Sequence, residues 1–385
     1  MGAASASAAQ ASSRPRALRG LRVVHRWLGL GVALVLLLSA VTGVWLALAG
    51  PADKRLAAAP CTGAASVGSV QALADAVVAR LGPVTSLTLR LPHGERACAI
   101  GFVRTADWQG EVFLHPATAE VVALRAEGQG LHNLVFELHT QLLLGDRGKA
   151  VLALVGAAFL ALWLTGLAVW WPMQWRTALQ VRLGGRALPA LADAHRVAGV
   201  VLGLVVLTAV ASGTYVAWRP IAGWVNTLAA TPRTAPPALP RGGPDSLPAA
   251  APAPSLDRVV QAGSPAAGAA ARLVDIGVPV GQTGPVRLRY HLAGDPHPNG
   301  QTYVWVDPRQ ATVLRRQTWA EADLGARLQG WLYPFHAGQL WGLPHTALLL
   351  VAGASLGWFA LSGPLLWALR RRTRGAARAA LSTTG

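Results

Sequence analysis

The stretch HRWLGLGVALVLLLSAVTGVW at residues 25–45 decides the fold, because a second copy, HRVAGVVLGLVVLTAVASGTYVAW, occupies residues 195–218. Each copy begins with a histidine and an arginine and reaches a glycine 18 positions after the histidine, at Gly43 and at Gly213. Eighteen residues complete five turns of an α-helix, so each glycine returns to the face of its histidine. Both copies are apolar after the arginine, which predicts two membrane helices from one duplicated segment.

A second motif is also repeated. FELHTQLLLG at residues 136–145 corresponds to YPFHAGQLWG at residues 333–342, and a long apolar run follows each of them. The first run contains Leu-Thr-Gly at residues 164–166, and the second contains Leu-Ser-Gly at residues 361–363. The chain is therefore predicted to consist of two similar halves, each with a histidine before each of its two apolar runs.

The composition is typical of a membrane protein, with 52% hydrophobic and only 13% charged residues. A helix needs about 20 residues to cross the hydrocarbon core of a bilayer. Four stretches without Asp, Glu, Lys or Arg are long enough: Trp27–Ala52, Ala150–Trp175, Val197–Trp218 and Thr346–Leu369. We predict an internally duplicated, all-α membrane fold, a bundle of four transmembrane helices in contact with the lipid bilayer.

The net charge of +17 reflects membrane topology, and no nucleic-acid partner is expected. The arginines cluster before the first span, between the second and third spans, and after the fourth. They are Arg14, Arg16, Arg19, Arg22 and Arg26; Arg176, Arg182, Arg186 and Arg196; and Arg370, Arg371, Arg372, Arg374 and Arg378. Four crossings place these segments on one side, which the positive-inside rule identifies as the cytoplasm. We predict a bacterial inner-membrane protein with both termini in the cytoplasm.

The two long segments between spans, residues 53–149 and 219–345, are then periplasmic, and each predicts a small α+β module. The predicted helices are Ser69–Leu81 and Leu256–Val274; the predicted strands are Ser86–Leu91, Ala97–Val103, Glu111–Leu114, Val121–Leu124, Val286–His291, Gln301–Asp307 and Ala311–Arg316. Cys61 and Cys98, the only cysteines, lie in the first segment. An oxidising compartment would permit a disulfide between them, and the sequence leaves that pairing open.

The predicted boundaries follow from these spans and modules. They are a disordered cytoplasmic tail at 1–20, a first transmembrane helix at 21–52, a first module at 53–130, an interfacial segment and second transmembrane helix at 131–175, a cytoplasmic loop at 176–194, a third transmembrane helix at 195–219, a Pro/Ala-rich linker at 220–254, a second module at 255–325, an interfacial segment and fourth transmembrane helix at 326–370, and a basic cytoplasmic tail at 371–385.

The order of these motifs resembles the PepSY-associated transmembrane helix family. In each half, a His-Arg span precedes an α+β module, a Phe-x-x-His or Phe-His element, and a span with Thr-Gly or Ser-Gly near a Trp. The likeness covers nearly the whole chain apart from the tails and the linker. Some members of that family are inner-membrane reductases that take iron from ferric siderophores with haem held by such histidines. The resemblance thus implies PepSY-like periplasmic modules and a role in iron uptake.

Four histidines are the predicted haem ligands. His25 and His195 begin spans on the cytoplasmic side, whereas His139 and His336 precede spans on the outer side. Since the hydrocarbon core is about 30 Å thick, ligands must pair within each side. We predict two non-covalent haem b groups with bis-histidine iron ligation, one between His25 and His195 and the other between His139 and His336. The alternative is interfacial histidines that extend towards the polar surface beside their arginines.

Four neighbouring residues complete the predicted haem sites. Gly43 and Gly213 would allow a flat macrocycle, or simply a neighbouring helix, to approach closely. Arg26 and Arg196 would neutralise haem propionates, although both also contribute to the topology signal. Charged residues separate His139 from the apolar run that follows, so His139 and His336 are expected on separate helices at the outer interface.

The other histidines are weaker candidates. His132 precedes His139 by seven positions and would share its helix face, and His345 lies at the start of the fourth span. Both are secondary candidates for ligation or proton handling. His93, His115, His291 and His297 are expected to be ordinary surface or turn residues.

The predicted function is electron transfer by a haem-dependent membrane oxidoreductase of the ferric reductase type. The sequence has no dinucleotide fingerprint and no CxxC, CxxCH or HExxH motif, so electrons would come from quinol or a separate donor. The acceptor would be periplasmic, a ferric siderophore first of all, and no side chain is predicted to be catalytic. Two alternatives are a non-enzymatic protein whose modules bind peptides or restrain a protease, and an electron conduit to a periplasmic protein.

Overall fold

The structure is a computed structural model that describes residues 2–58, 61, 66–93, 97–171, 177–182, 184, 187–231, 235–240, 254–279 and 284–382. Arg176, Arg186 and two parts of the predicted linker, 232–234 and 241–253, lie outside the described residues.

The chain forms two compact units. The membrane unit comprises Met1–Ala47, Phe136–Trp218 and Trp341–Gly385, and the sheet unit comprises Leu48–Val135 and Arg219–Leu340.

The apolar runs of the sequence form long helices. These helices are α1 (Gly2–Ala58), α3 (Leu131–Gln141), α4 (Asp146–Trp170), α5 (Ala187–Val201), α6 (Gly203–Ala217) and, at the end of the chain, α10 (Leu343–Ser382). Three segments of α1, α4 and α10 are long and apolar enough to cross a membrane: Leu18–Asp53, Asp146–Trp170 and Leu343–Gly375. The bent pair of α5 and α6 makes a fourth if it counts as one span.

The third predicted span is broken, which the sequence did not indicate. Helices α5 and α6 meet at Leu202 with a bend of 61°. The indole of Trp163 packs against Gly203 so closely that a Cβ there would lie 2.5 Å from Nε1 of the indole. Glycine has a low helix propensity, and a side chain pressed against the helix is a recognised cause of a kink.

The core of the membrane unit is built from α1, α4, α6 and α10. Its buried residues are Leu36 and Ala40, Val155, Phe159 and Leu162, Val206, and Leu356 and Ala360. All are aliphatic, aromatic or small, as expected where dispersion packing rather than polar contact joins helices within lipid.

Both ends of the chain are more helical than predicted. Helix α1 already begins at Gly2, within the tail that we expected to be disordered, and α10 continues to Ser382, through the tail after residue 370. Alanine is frequent in both tails and has the highest helix propensity, which explains how each span can extend beyond its apolar part.

The sheet unit contains one eight-stranded antiparallel sheet, to which each of the two predicted module segments contributes four strands. The strands are β1 (Ser86–Arg90), β2 (Ala99–Arg104), β3 (Gln109–Leu114), β4 (Val121–Ala126), β5 (Arg272–Val278), β6 (Val286–His291), β7 (Thr302–Asp307) and β8 (Thr312–Gln317). Their order in the sheet is β4-β3-β2-β1-β5-β6-β7-β8. The two predicted modules therefore share a single sheet, joined where β1 pairs with β5.

The joining strand β5 was predicted as the end of a helix. That helix, α8 (Leu256–Ala267), ends instead at Gly268, which has a positive φ of 106° that favours glycine. The residues that follow alternate little in polarity and pair with β1, for example Ile276 with Leu89. The sequence signal could not distinguish a buried strand from a continued helix here.

Helices α8 and α2 (Val70–Leu81) cover the sheet core. Leu73, Val77, Leu89, Ile276 and Leu288 are fully buried there. Each helix also binds the start of the other, because the Asp257 carboxylate accepts the Val70 N–H at 2.7 Å and the Gln71 side-chain oxygen accepts the Leu256 N–H at 2.8 Å. These bonds satisfy backbone donors that have no partner within the first helical turn.

The rest of the sheet unit consists of α7 (Pro220–Leu228), a short 3₁₀ helix (Trp319–Glu321) and α9 (Leu324–His336). Helix α7 lies in the segment 220–254 that we predicted as a linker, and Asn226 attaches it to Asp323 at the start of α9 at 2.9 Å. The structure joins Cys61 to Cys98 in a disulfide, the pairing that the sequence left open.

Candidate functional site

His25 and His195 lie together in the membrane unit. Their ring centroids are 6.5 Å apart and their planes are nearly perpendicular, at 86°. The two residues come from equivalent positions of the two repeats, one in α1 and the other in α5. This is the pair that the sequence predicted.

Each of these rings is anchored through Nδ1 to a hydroxyl group on another helix. Nδ1 of His25 lies 3.0 Å from Oγ1 of Thr165 in α4, and Nδ1 of His195 lies 2.6 Å from Oγ of Ser362 in α10. Among the residues that the structure describes, no hydrogen bond is seen at Nε2 of either histidine. Both imidazoles are thus held through Nδ1.

A glycine follows each hydroxyl residue and lies against the imidazole. A Cβ at Gly166 would be 3.2 Å from Cε1 of His25, which is tighter than an ordinary contact. A Cβ at Gly363 would be 3.9 Å from Cε1 of His195, an ordinary van der Waals distance. The repeated Thr-Gly and Ser-Gly pairs therefore provide a hydrogen bond and the space for a ring.

His139 is held in the same way at a separate place in the membrane unit. Its Nδ1 lies 2.9 Å from Oγ1 of Thr42, and a Cβ at Gly43 would be 3.1 Å from its Cε1. Gly43 thus accommodates the imidazole of a neighbouring helix, the simpler of the two roles considered for it. The corresponding role of Gly213 in α6 stays a prediction.

His139 and His336 lie on helices that are separate from the spans, as predicted. His139 is on α3, which ends five residues before α4, and His336 is the last residue of α9. Gly148 allows the corner between α3 and α4, because any side chain there would overlap the Gln141 carbonyl. The two histidines belong to different units, and their pairing around a second haem stays a prediction.

The secondary candidates differ from these three anchored histidines. Nδ1 of His132 is buried and has no hydrogen-bond partner in the part of the chain that the structure describes, and its Cε1 faces Gly50. Ala49 stands before Gly50, where Thr42 stands before Gly43. His345 is fully buried near the start of α10, and its ring lies 4.9 Å from that of Trp341.

The two arginines have protein partners of their own. The guanidinium of Arg26 lies over the ring of Trp27 at 5.3 Å. Arg196 pairs with Asp193 at 3.2 Å, and the same buried carboxylate binds Arg182 at 2.7 Å. Arg196 is therefore already partly neutralised, so the structure gives little support to its predicted role beside a propionate.

His297 in the sheet unit is buried rather than an ordinary surface residue. Its Nδ1 accepts hydrogen bonds from the Asn299 backbone N–H at 3.1 Å and from the Arg289 guanidinium at 3.3 Å, and its ring stacks on Tyr333. Burial, followed by the charges of Arg289 and Arg90, lowers the pKa of His297 to about 3. This histidine is held neutral within a structural network.

The spacing of His25 and His195 is compatible with two imidazoles on one metal ion. A metal–nitrogen bond is about 2 Å long, and an imidazole centre lies about 1 Å beyond its nitrogen, so two imidazole centroids on opposite sides of a metal ion would be roughly 6 Å apart. The observed 6.5 Å agrees with this spacing. Metal-bound histidines usually donate the hydrogen of their other nitrogen to a protein oxygen, and Thr165 and Ser362 supply such oxygens.

The Thr-Gly pair within 164–166 and the Ser-Gly pair within 361–363 were part of the predicted repeat, but no function was predicted for them. Their hydroxyls were missed because a helix partner 140 residues away cannot be inferred from the spacing of one chain. A usable signal was nevertheless present, since small-hydroxyl-glycine pairs occur once per span, in the same number as the four histidines.

The apolar helices define this chain as a membrane protein. More narrowly, it belongs to the family described as the PepSY-associated TM region, which matches residues 22–370. A comparison with curated proteins finds no match.

Proposed function

We propose that the protein is a haem b electron-transfer protein of the bacterial inner membrane that reduces a periplasmic acceptor, a ferric siderophore first of all. The observation that carries this proposal is the His25 and His195 pair. The ring centroids of these two imidazoles, which come from equivalent repeats, lie 6.5 Å apart, and each ring is anchored at Nδ1.

The residues of the chain would bind and orient the cofactor. His25 and His195 would hold one iron through Nε2, while Thr165 and Ser362 fix the directions of the two rings. Bound in this way, haem supplies reversible one-electron oxidation and reduction. Phe359, whose ring centroid lies 5.7 Å from that of His195, would help to keep water away from the site. By the repeat, we propose His139 and His336 as the ligands of a second haem.

The orientation in the membrane follows from the charges. Arg370, Arg371 and Arg372 follow the last span, and Arg19 and Arg22 precede the first, which favours cytoplasmic termini. The disulfide of Cys61 and Cys98 lies in the sheet unit, and disulfides persist in oxidising compartments. Both observations favour a periplasmic sheet unit.

The proposed acceptor suits one-electron chemistry at the outer surface. Reduction of Fe(III) to Fe(II) weakens its binding to the oxygen ligands of a chelator, because the lower charge attracts hard oxygen donors less strongly. Iron released in this way would be available for import. The electrons would come from quinol or a separate donor, since the sequence contains no nicotinamide or flavin fingerprint.

The test begins with purified wild-type protein in detergent. A reduced-minus-oxidised spectrum and a pyridine haemochrome assay should show two b-type haems per chain. The dithionite-reduced protein, freed of excess reductant, should then be reoxidised by ferric siderophores. A folded but haem-free protein from haem-replete cells would contradict the proposal and favour peptide binding. Haem that ferric chelates fail to reoxidise would contradict the siderophore role and favour a protein acceptor.

A further inference from the structure

We propose that the hydroxyl groups of Thr42, Thr165 and Ser362 select the tautomer of His139, His25 and His195, so that Nδ1 carries the hydrogen and Nε2 presents its lone pair to the iron. This inference rests on the proposed function in naming iron as the ligand of Nε2. The tautomer itself is a property of the protein alone and can be measured without haem.

The hydroxyl of Thr165 has both carbonyl oxygens and a histidine nitrogen within hydrogen-bonding distance. Its Oγ1 lies 2.7 Å from the Ala161 carbonyl and 3.1 Å from the Leu162 carbonyl, as well as 3.0 Å from Nδ1 of His25. A hydroxyl has a single hydrogen to donate, and a carbonyl oxygen can only accept. If the hydroxyl donates to a carbonyl of its own helix, the hydrogen between Thr165 and His25 must come from Nδ1.

The same arrangement occurs at the other two sites. Oγ of Ser362 lies 2.6 Å from the Trp358 carbonyl and 2.6 Å from Nδ1 of His195. Oγ1 of Thr42 lies 2.7 Å from the Leu38 carbonyl and 2.9 Å from Nδ1 of His139. In each case the carbonyl belongs to the residue four positions earlier in the helix.

The low dielectric of the membrane makes the choice of tautomer strong. With hydrogen on Nδ1, both the hydroxyl and the histidine have partners. With hydrogen on Nε2, the hydroxyl would have to abandon its carbonyl to serve Nδ1. A buried hydrogen bond of this kind contributes about 1 kcal/mol, and a polar group left without a partner costs roughly 1–3 kcal/mol.

The hydroxyls also set how strongly the imidazole donates electrons. A carboxylate partner makes a metal-bound histidine more basic, and a neutral hydroxyl partner increases its basicity by a smaller amount. Loss of the hydroxyl should reduce electron donation further and thereby raise the reduction potential of the iron. Thr165 and Ser362 are therefore positioning residues that also tune the cofactor.

The first measurement is made on haem-free full-length protein labelled with ¹⁵N-histidine and prepared from cells that cannot make haem. The ¹⁵N shifts distinguish a protonated ring nitrogen from an unprotonated one. Comparison of the wild type with Thr165→Val should reveal one histidine that loses its Nδ1–H signature. Thr165→Ser, which keeps the hydroxyl, should retain the wild-type tautomer.

The second measurement uses the haem-loaded chain. Thr165→Val and Ser362→Ala should each weaken haem retention about 10–100-fold and raise the midpoint potential, as expected for loss of a partner of a metal-bound histidine. The matched control is Ser355→Ala, one heptad earlier in α10, because the Ser355 hydroxyl donates to the Val351 carbonyl at 2.7 Å and no contact with a histidine is seen for it among the described residues. Thr208→Val in α6 is the equivalent threonine control.

The outcomes separate this inference from the proposed function. Nδ1–H histidines in the haem-free protein, together with a wild-type chain that contains no haem when purified from haem-replete cells, would support the tautomer assignment and contradict the haem role. Haem binding with hydrogen on Nε2 in the haem-free protein overturns the tautomer assignment alone. Equal potentials in the wild type, Thr165→Val and Ser355→Ala would likewise overturn it.

Discussion

His195 in the membrane unit and His297 in the sheet unit are hydrogen-bonded in opposite ways. Nδ1 of His195 faces a serine hydroxyl that already has a carbonyl to donate to, so the imidazole is the donor. Nδ1 of His297 faces a backbone N–H and a guanidinium, both of which can only donate, so the imidazole is the acceptor. The first ring leaves Nε2 with a lone pair, and the second leaves it with a hydrogen.

This difference shows how a ligand histidine can be distinguished from a structural one. Burial alone does not separate them, because His297 is the more buried of the two. The partner of Nδ1 does, since it decides whether Nε2 can bind a metal. His297 has the structural arrangement, and His132 has neither arrangement within the described part of the chain.

The largest effect on stability is expected at Asp275, which anchors the network around His297. Burial tends to raise the pKa of Asp275, but the hydrogen bond and charge of Arg90 hold it below the ordinary value. Asp275→Asn removes the partner of Arg90 and Arg289 at the junction of β1, β5 and β6. Breaking a buried ion pair costs about 3–5 kcal/mol. Denaturant unfolding of the full chain in detergent should show a loss of that size.

The matched control is Asp307→Asn. Asp307 is also buried, but its partner Arg309 lies in the same turn and is more exposed than Arg289. The expected loss is smaller. Equal losses in the two variants would mean that the junction of the sheet is no more dependent on charge than a local turn is.

The next effect is the response of the sheet unit to pH. The pKa of His297 is about 3 in the folded protein, against 6.5 ordinarily, so the unfolded chain binds a proton more readily. The contribution to stability is therefore complete above pH 6.5 and is lost as pH falls towards 3, by up to ~1.4 kcal/mol per pH unit.

Unfolding should be followed between pH 8 and pH 4.5 in the wild type and in His297→Ala. The variant is expected to be about 1–3 kcal/mol less stable at pH 8, because Asn299 and Arg289 lose an acceptor, but to depend less on pH. A variant with the full wild-type pH dependence would show that His297 is not the group responsible.

At the membrane site, the two glycines beside the rings should respond differently. Gly166→Ala places a Cβ 3.2 Å from His25, so the imidazole must move by a few tenths of an ångström. Gly363→Ala places its Cβ 3.9 Å from His195, where nothing has to move. We expect haem dissociation to accelerate several-fold in the first variant and to stay near the wild-type rate in the second. Transfer of haem to an excess of apomyoglobin would measure both rates.

The smallest effect is expected at His132, whose buried Nδ1 has no hydrogen-bond partner among the described residues. Ala49→Thr places a hydroxyl before Gly50, as Thr42 stands before Gly43, and should stabilise the chain by about 1 kcal/mol. Ala49→Val has nearly the same shape without the hydroxyl. A gain in melting temperature that Val reproduces would show that packing, and not a hydrogen bond, is responsible.

The parts of the fold that depend on local pattern could be predicted from the sequence. Uninterrupted apolar runs predicted α1, α4 and α10, and local sequence pattern predicted β1 and β6 as strands. The pairing of β1 with β5 could not be predicted, because it joins segments some 185 residues apart and the β5 sequence resembles a continued helix. The break at Leu202 depends on Trp163 of another helix, which no local pattern reveals.

The candidate site shows the same division. Repetition alone identified His25 and His195, and the structure brings them together. Repetition also displayed the Thr-Gly and Ser-Gly pairs, but their partners depend on which helices are neighbours. The hydrogen bonds from His25 to α4 and from His195 to α10 follow from that packing.

The proposed function depends above all on His25 and His195 holding one haem iron. The most direct measurement is the haem content per chain of His25→Ala, His195→Ala and the double variant, with His297→Ala and Ser355→Ala as controls. We predict that each single variant and the double variant lose the same one haem of two, while both controls keep both. Wild-type haem content in the double variant, or a larger loss in the double than in either single variant, would contradict the claim.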